Sequence, residues 1–193
     1  MEASVSSIRG LIQSGKLLRI PYFQRSYVWG KDDWERFAID MEATIDGGQD
    51  YFLGAIILKK EEEHVTDANE GIESRYLVVD GQQRLTTLNV YMKVLYSLVM
   101  ETQTFNFQYF RGSCTNEPVL EHSREDRAMF AKVMNEETPR ELNNVNESNI
   151  IDAYNYFLKR MQPRIDDREW IRRLINTINA HIRFVVITLQ TTD

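Results

Sequence analysis

At 193 residues, with 42% apolar and 11% aromatic side chains, the chain is long enough to bury a real core and ordinary enough in composition to form one soluble globular domain. Its longest apolar runs, Ala55 to Leu58 and Phe184 to Ile187, are far too short to cross a bilayer. Met1-Glu-Ala-Ser lacks the basic and then apolar character of a signal peptide, so a cytoplasmic protein with no membrane partner is expected. The net charge of −6 is unevenly spread: residues 31–73 carry four basic and thirteen acidic side chains, and residues 1–30 carry four basic and one acidic. A domain whose main task is to grip the DNA backbone carries a broad positive excess, and this one does not.

Cys114 is alone, which excludes an internal disulfide, and its polar Gly-Ser-Cys-Thr setting offers no base to activate a thiolate. His64, His122 and His181 lack the spacing of zinc ligands, which leaves carboxylate-held magnesium open.

Taken in order, Val5, Ile8, Leu11 and Ile12 predict a first amphipathic helix that ends at Gly15. Leu17 to Ile20 reads as a strand, stopped by Pro21, which has no N–H and holds Ile20 extended. Tyr22-Phe-Gln-Arg-Ser-Tyr-Val-Trp29 is then an irregular loop, which Phe23 and Trp29 are expected to pin into the core, leaving Gln24 and Arg25 for a ligand. Trp34, Phe37, Ala38, Met41 and Ile45 share one face of a helix capped by Asp32 and closed by Gly47-Gly48. Tyr51 to Leu58 is a strand with Gly54 inside it, where glycine marks a close backbone approach. Lys59 to Ser74 reads as a hairpin or loop.

The next stretch is Tyr76-Leu-Val-Val-Asp-Gly-Gln-Gln-Arg-Leu-Thr-Thr-Leu88, a short β-branched run that hands over at Asp80-Gly81 to a helix running to about Glu101. Asp80 and Gln83 have the spacing of a capping box. The same turn suits an anion, because Gly81 permits a sharp turn and the first N–H groups of the helix point outward at its positive end. Arg84 favours the anion, since a cation in a first turn opposes the helix dipole by roughly 0.3–1 kcal/mol. Capping and anion binding are compatible.

Further on, Phe105, Phe107 and Tyr109 alternate as a short strand, Gly112 to Pro118 is loop, and Leu120 to about Asn135 and Glu147 to Gln162 read as helices. After Pro163 a third helix buries Trp170, Ile171, Leu174, Ile175 and Ile178, while Arg164, Arg168 and Arg172 interleave with acids on a solvated face. Arg183 to Thr188 is a final strand.

Asp80-Gly-Gln-Gln-Arg84, with Ile20-Pro-Tyr-Phe-Gln-Arg-Ser-Tyr-Val-Trp29 upstream and Phe52-Leu-Gly54 between, resembles the amino-terminal domain of GmrSD-type, modification-dependent restriction enzymes, within the ParB/sulfiredoxin-like superfamily. The resemblance implies an α+β fold: a small mixed sheet with surrounding helices, a nucleotide-binding core over residues 1–100, and a helical extension over 101–193 that returns to a last core strand. It implies nucleoside triphosphate hydrolysis, with GTP or another NTP and Mg2+ as cofactors, coupled to restriction of modified phage DNA. The DNA would be reached through the full-length protein and a carboxy-terminal His-Asn-His nuclease domain; this chain stops at Asp193 and is expected to be the truncated amino-terminal part, with a homodimer as an option.

On that reading Asp80, Gln82, Gln83 and Arg84 are the catalytic residues, Asp80 also being the metal ligand, and Gln24, Arg25, Tyr27, Gly54, Gly81, Thr86 and Thr87 bind the nucleotide. Backbone N–H groups at Gly81 to Gln83, with Arg84 and Arg25, hold phosphates, and Gln82 or Gln83 orients the attacking water. ParB proteins place a proline between the Gln and Arg that correspond to Gln24 and Arg25; here they are adjacent. No Walker A sequence is present, which excludes a P-loop mechanism. Sulfiredoxin chemistry needs a cysteine where Gln82 stands. The alternatives are a ParB-like nucleotide- or DNA-binding module without hydrolysis, and a structural domain in which the turn is only a cap.

Overall fold

The computed structural model describes residues 1–12, 16–61, 74–99 and 119–189. Gly15, Glu62 to Glu73, the strand expected over Phe105 to Tyr109 and the loop expected over Gly112 to Pro118, with Cys114, lie outside the described residues. The fold is α+β, as expected. In chain order the elements are β1 (Glu2–Ser7), α1 (Ile8–Ile12), β2 (Lys16–Arg19), α2 (Lys31–Gly47), β3 (Tyr51–Lys60), β4 (Ser74–Asp80), α3 (Gln82–Val99), β5 (Leu120–Glu121), α4 (Arg127–Met134), α5 (Asn149–Met161), α6 (Arg168–His181) and β6 (Ile182–Leu189), with a 3-10 turn at Gln162–Arg164. None of these helices is long and apolar enough to cross a membrane.

The strands form a six-stranded mixed sheet in the order β1-β6-β3-β4-β2-β5. The last strand, β6, lies beside the first: it runs antiparallel to β1 and parallel to β3. Strand β4 is antiparallel to β3 and parallel to β2. Ile56, Leu58, Val78, Phe184 and Val186 alternate onto a buried face that meets the helices, as the period-2 geometry of a strand requires.

Helix α3 runs through the middle of the helical layer. All but Arg84, Tyr96 and Ser97 of its 18 residues are buried, so it has no solvent face. Helices α5 and α6 pack against it, and Phe37 of α2, Tyr91 of α3 and Phe157 of α5 form an aromatic cluster, with Tyr91 and Phe157 edge-on at 4.9 Å between centroids. Its first turn is thereby held rigidly by the core.

Two expected helices differ. The first begins at Ile8 instead of Val5, because Glu2–Ser7 pairs with β6, Val5 opposite Val185; a strand partner supplied by the far end of the chain outweighs local periodicity. The second begins at Arg127, because Leu120 and Glu121 extend β2 as a parallel strand: Leu18 N–H donates to Val119 O at 2.7 Å and Ile20 N–H to Glu121 O at 2.8 Å. At α2 the capping acid is Asp33, which accepts from Gly30 N–H at 3.1 Å, and not Asp32. The closing glycine is Gly48, left-handed at φ 55°. The arginines after α5 diverge, Arg164 stacking on Trp170 at 4.0 Å and Arg172 donating to Val99 O at 3.5 Å.

Candidate functional site

The candidate site is the junction of β4 and α3 with the loop that precedes α2. Asp80 ends β4 opposite Ile57. Gly81 follows at φ 100°, where a side chain is strained, and a Cβ there would lie 3.1 Å from Ile56 Cγ1 and 3.3 Å from Ala55 O. Gly81 O accepts the first helical bond, from Leu85 N–H at 3.0 Å, so Gly81 holds the cap position and Asp80 lies one residue before it. The expected capping box is therefore not formed. The Asp80 carboxylate is exposed and has no hydrogen-bond partner among the described residues, and Gln83 is directed to the loop.

That loop, residues 21–30, has almost no backbone ladder of its own; its single internal bond runs from Gln24 N–H to Pro21 O at 3.1 Å. Side chains from elsewhere supply the rest. Gln82 Nε2 donates to Arg25 O at 2.7 Å and Gln83 Nε2 to Ser26 O at 3.2 Å, while Gln83 Oε1 accepts from Val28 N–H at 3.0 Å and from Trp29 N–H at 3.4 Å. Gln24 Nε2 closes the circuit onto Val79 O at 2.9 Å. These bonds bring residues 24–29 against the end of β4 and the start of α3. Phe23 is not a core pin, as the sequence suggested: it is 69% exposed, edge-on to exposed Tyr22, because the loop is anchored through its polar backbone instead.

Arg84 and Gly54 form a second close contact. Arg84 Nη1 donates to Ala55 O at 2.6 Å, and the guanidinium lies so near Gly54, at φ 127°, that a Cβ there would stand 2.8 Å from Nη1. Gly54 follows a register shift in β3, which opens the strand for the arginine. One of the five guanidinium N–H groups is engaged there, and Arg25 is exposed with no side-chain partner among the described residues.

The three hydroxyls assigned to nucleotide binding point inward. Tyr27 is buried, its hydroxyl between Thr87 Oγ1 at 2.7 Å and Trp34 Nε1 at 2.8 Å, and burial pushes its pKa well above the usual phenol range. Thr87 Oγ1 also contacts Gln83 O at 2.8 Å. Thr86 Oγ1 donates to Gln82 O at 2.8 Å and lies 3.0 Å from His122 Nε2. His122 is 4% exposed, and burial lowers its pKa to about 3, so it is neutral. Beside this turn, two buried polar atoms have no hydrogen-bond partner among the described residues, His122 Nδ1 and Gln82 Oε1. The orientation of the Gln82 amide is set by its bond to Arg25 O.

Gln24, Arg25, Gly54, Asp80, Gly81, Gln82, Gln83 and Arg84 thus come together around one turn, with Tyr27, Thr86 and Thr87 behind it. Sequence reasoning missed His122 and Asp126. Asp126 Oδ2 accepts from Tyr27 N–H at 2.7 Å across 99 residues, and no local pattern signals such a contact. Among the described residues no three His, Cys, Asp or Glu side chains gather as metal ligands. A lone carboxylate such as Asp80 suits Mg2+, which takes most of its ligands from phosphates and water.

The model of one protein family, described as the GmrSD restriction endonuclease, N-terminal domain, matches residues 8–193. No individually curated protein matches the chain.

Proposed function

The chain belongs to the family of GmrSD restriction endonuclease N-terminal domains, and from that premise we propose that it binds a nucleoside triphosphate at the first turn of α3 and hydrolyses it to control a DNA nuclease domain acting on modified DNA. The observation that carries the reading is the gathering, at one helix N-terminus, of Asp80 and Arg25, whose charged groups have no partner among the described residues, with a second guanidinium, Arg84, bonded to Ala55 O. Such a set matches a polyphosphate with a divalent cation and matches little else.

Gly81 and Gly54 keep side chains away from the turn, so backbone N–H groups at Gly81 to Gln83 approach phosphate oxygens directly. Arg84 is aimed by Ala55 O and Arg25 by the bonded loop. Asp80 would hold Mg2+, which when bound neutralises phosphate charge and polarises the oxygens at the reacting phosphorus. Gln82 Oε1, the buried acceptor without a donor, is the group best suited to orient a water, because its other amide atom is already fixed. Gln83, Thr86 and Thr87 support the turn instead of touching the nucleotide. Nucleotide occupancy would signal to a nuclease domain elsewhere in the protein, which is also the route to DNA.

Binding without hydrolysis is the second reading, favoured by the bonding of both glutamine amides to loop backbone. Melting temperature is measured against each common nucleoside triphosphate with and without Mg2+, together with phosphate release by this chain and by the chain joined to its nuclease domain. A Mg2+-dependent rise in melting temperature with phosphate release supports hydrolysis. A rise alone selects the second reading, and neither signal overturns both.

A further inference from the structure

Asp126 occupies the residue before α4 with helical backbone, φ −90° and ψ −16°, so its side chain is not placed to cap the helix. Its backbone does serve the helix, Phe130 N–H donating to Asp126 O at 2.9 Å, but its side chain makes no cap. The carboxylate turns away and takes Tyr27 N–H at 2.7 Å. Desolvation raises the Asp126 pKa and works against a half-buried carboxylate, so the arrangement calls for a reason beyond the helix.

The reason lies in the loop. Arg25 O, Ser26 O, Val28 N and Trp29 N are all bonded by Gln82 and Gln83 of α3, and Tyr27 N–H, in the middle, is a donor those glutamines leave open. Asp126 completes the set from outside the motif. It does so from a firm base: β5 pairs with β2 on one side, and on the other the His122 ring lies on Phe130 at 4.3 Å between centroids, with Arg127 N–H bonded to Ser123 O at 2.9 Å. His122 Nδ1 stands 3.9 Å from Asp126 Oδ2, too far for a hydrogen bond, which leaves the carboxylate to Tyr27.

We propose that Asp126 is a positioning residue for the site, holding the Tyr22–Trp29 loop at the depth that aims Arg25 at the first turn of α3. The ligand it serves, a nucleoside triphosphate, rests on the function proposed above; the loop-holding itself does not. Arg25 contacts phosphate equally before and during reaction, so loosening the loop raises KM and leaves kcat near the parent value.

Three substitutions separate the roles. Asp126→Asn keeps an acceptor and loses the charge; Asp126→Glu keeps the charge and moves the acceptor by about one C–C bond, ~1.5 Å; Asp126→Ala removes both. Hydrogen exchange of the Tyr27 amide is measured in the full chain without ligand, and KM and kcat for Mg2+ with each common nucleoside triphosphate in the enzyme that retains its nuclease domain. Exchange stays near the parent rate in Asn and rises about tenfold in Glu and more in Ala; KM follows the same order, up to about tenfold, at constant kcat. Parent-like exchange in Glu, or exchange in Asn as fast as in Glu, overturns the proposal, and these two decide it even where Ala does not fold. A kcat loss in place of the KM rise overturns the aiming of Arg25. Absence of nucleotide turnover by the parent enzyme overturns the proposed function while the exchange measurement still decides whether Asp126 holds the loop.

Discussion

Gly54→Ala tests the closest packing in the site. Alanine at φ 127° occupies backbone space that L residues avoid, at a cost of roughly 1–3 kcal/mol. Its Cβ would also lie 2.8 Å from Arg84 Nη1 and 3.2 Å from Cζ, so the guanidinium must leave. The bond from Nη1 to Ala55 O, 2.6 Å long, then breaks, which costs roughly 0.5–1.5 kcal/mol more. The sum of about 2–4 kcal/mol corresponds to a fall in melting temperature of roughly 5–15 °C for a chain of this size. The two parts separate in a double-mutant cycle with Arg84→Ala, which removes both the colliding group and the hydrogen bond. Gly54→Ala should then cost only the backbone strain in the Arg84→Ala background, so the pair should be less destabilising than the sum of the singles by about 1 kcal/mol. Thermal or urea denaturation of the four proteins measures this. Equal costs for Gly54→Ala in both backgrounds, or a single mutant that melts with the parent, would show that the glycine is not there to admit the arginine.

Asp80→Asn and Asp80→Ala should both melt close to the parent, since the carboxylate caps nothing, and both should lose most phosphate release; a variant that hydrolyses at the parent rate removes Asp80 from the chemistry. Arg25→Ala should leave melting unchanged, because its guanidinium is exposed and has no partner among the described residues, while weakening Mg2+-nucleotide affinity several-fold by calorimetry. A tighter or equal affinity would refute its phosphate role. His122 predicts a pH dependence: its folded pKa, about 3, lies below the ordinary value near 6.5, so the unfolded chain binds the extra proton between them and stability is lost as pH falls through that window. Denaturation between pH 7 and pH 4 should show a shallower loss in His122→Gln than in the parent, and parallel curves would count against the buried neutral imidazole.

The elements whose apolar spacing is strong, α2, α5, α6, β3 and β6, are readable in the sequence within a few residues. So is the site's core. Asp-Gly-Gln-Gln-Arg announces a strand-to-helix turn, and Gly54 announces a close approach, because glycine is the residue that permits both. The failures share a cause. Val5 and Leu120 read as helical because a sequence window contains no information about a strand partner more than 100 residues away. Phe23 reads as a core residue because an aromatic is usually buried, and nothing local reveals that the loop is held by amide side chains instead.

The linear sequence by itself determines what this chain has available: a glycine-marked turn, two arginines, an aspartate and two glutamines, and a family whose model spans nearly all of it. Which of those groups face a ligand is a tertiary matter. Asp80 and Gln83 have the spacing of a capping box, yet the hydrogen-bonding needs of a loop with no ladder take the Gln83 amide, and the Asp80 carboxylate has no partner among the described residues. Tyr27, Thr86 and Thr87 carry hydroxyls suited to phosphate, but α3 is enclosed on nearly every side, and buried hydroxyls bond to whatever polar atoms the fold brings near. Asp126 enters the site only because β5 joins the sheet beside β2 and carries the start of α4 against the loop. Spacing along a chain governs contacts within a helix or a turn; contacts between elements are governed by which surfaces the core must cover, and that is settled only when the whole sheet has formed.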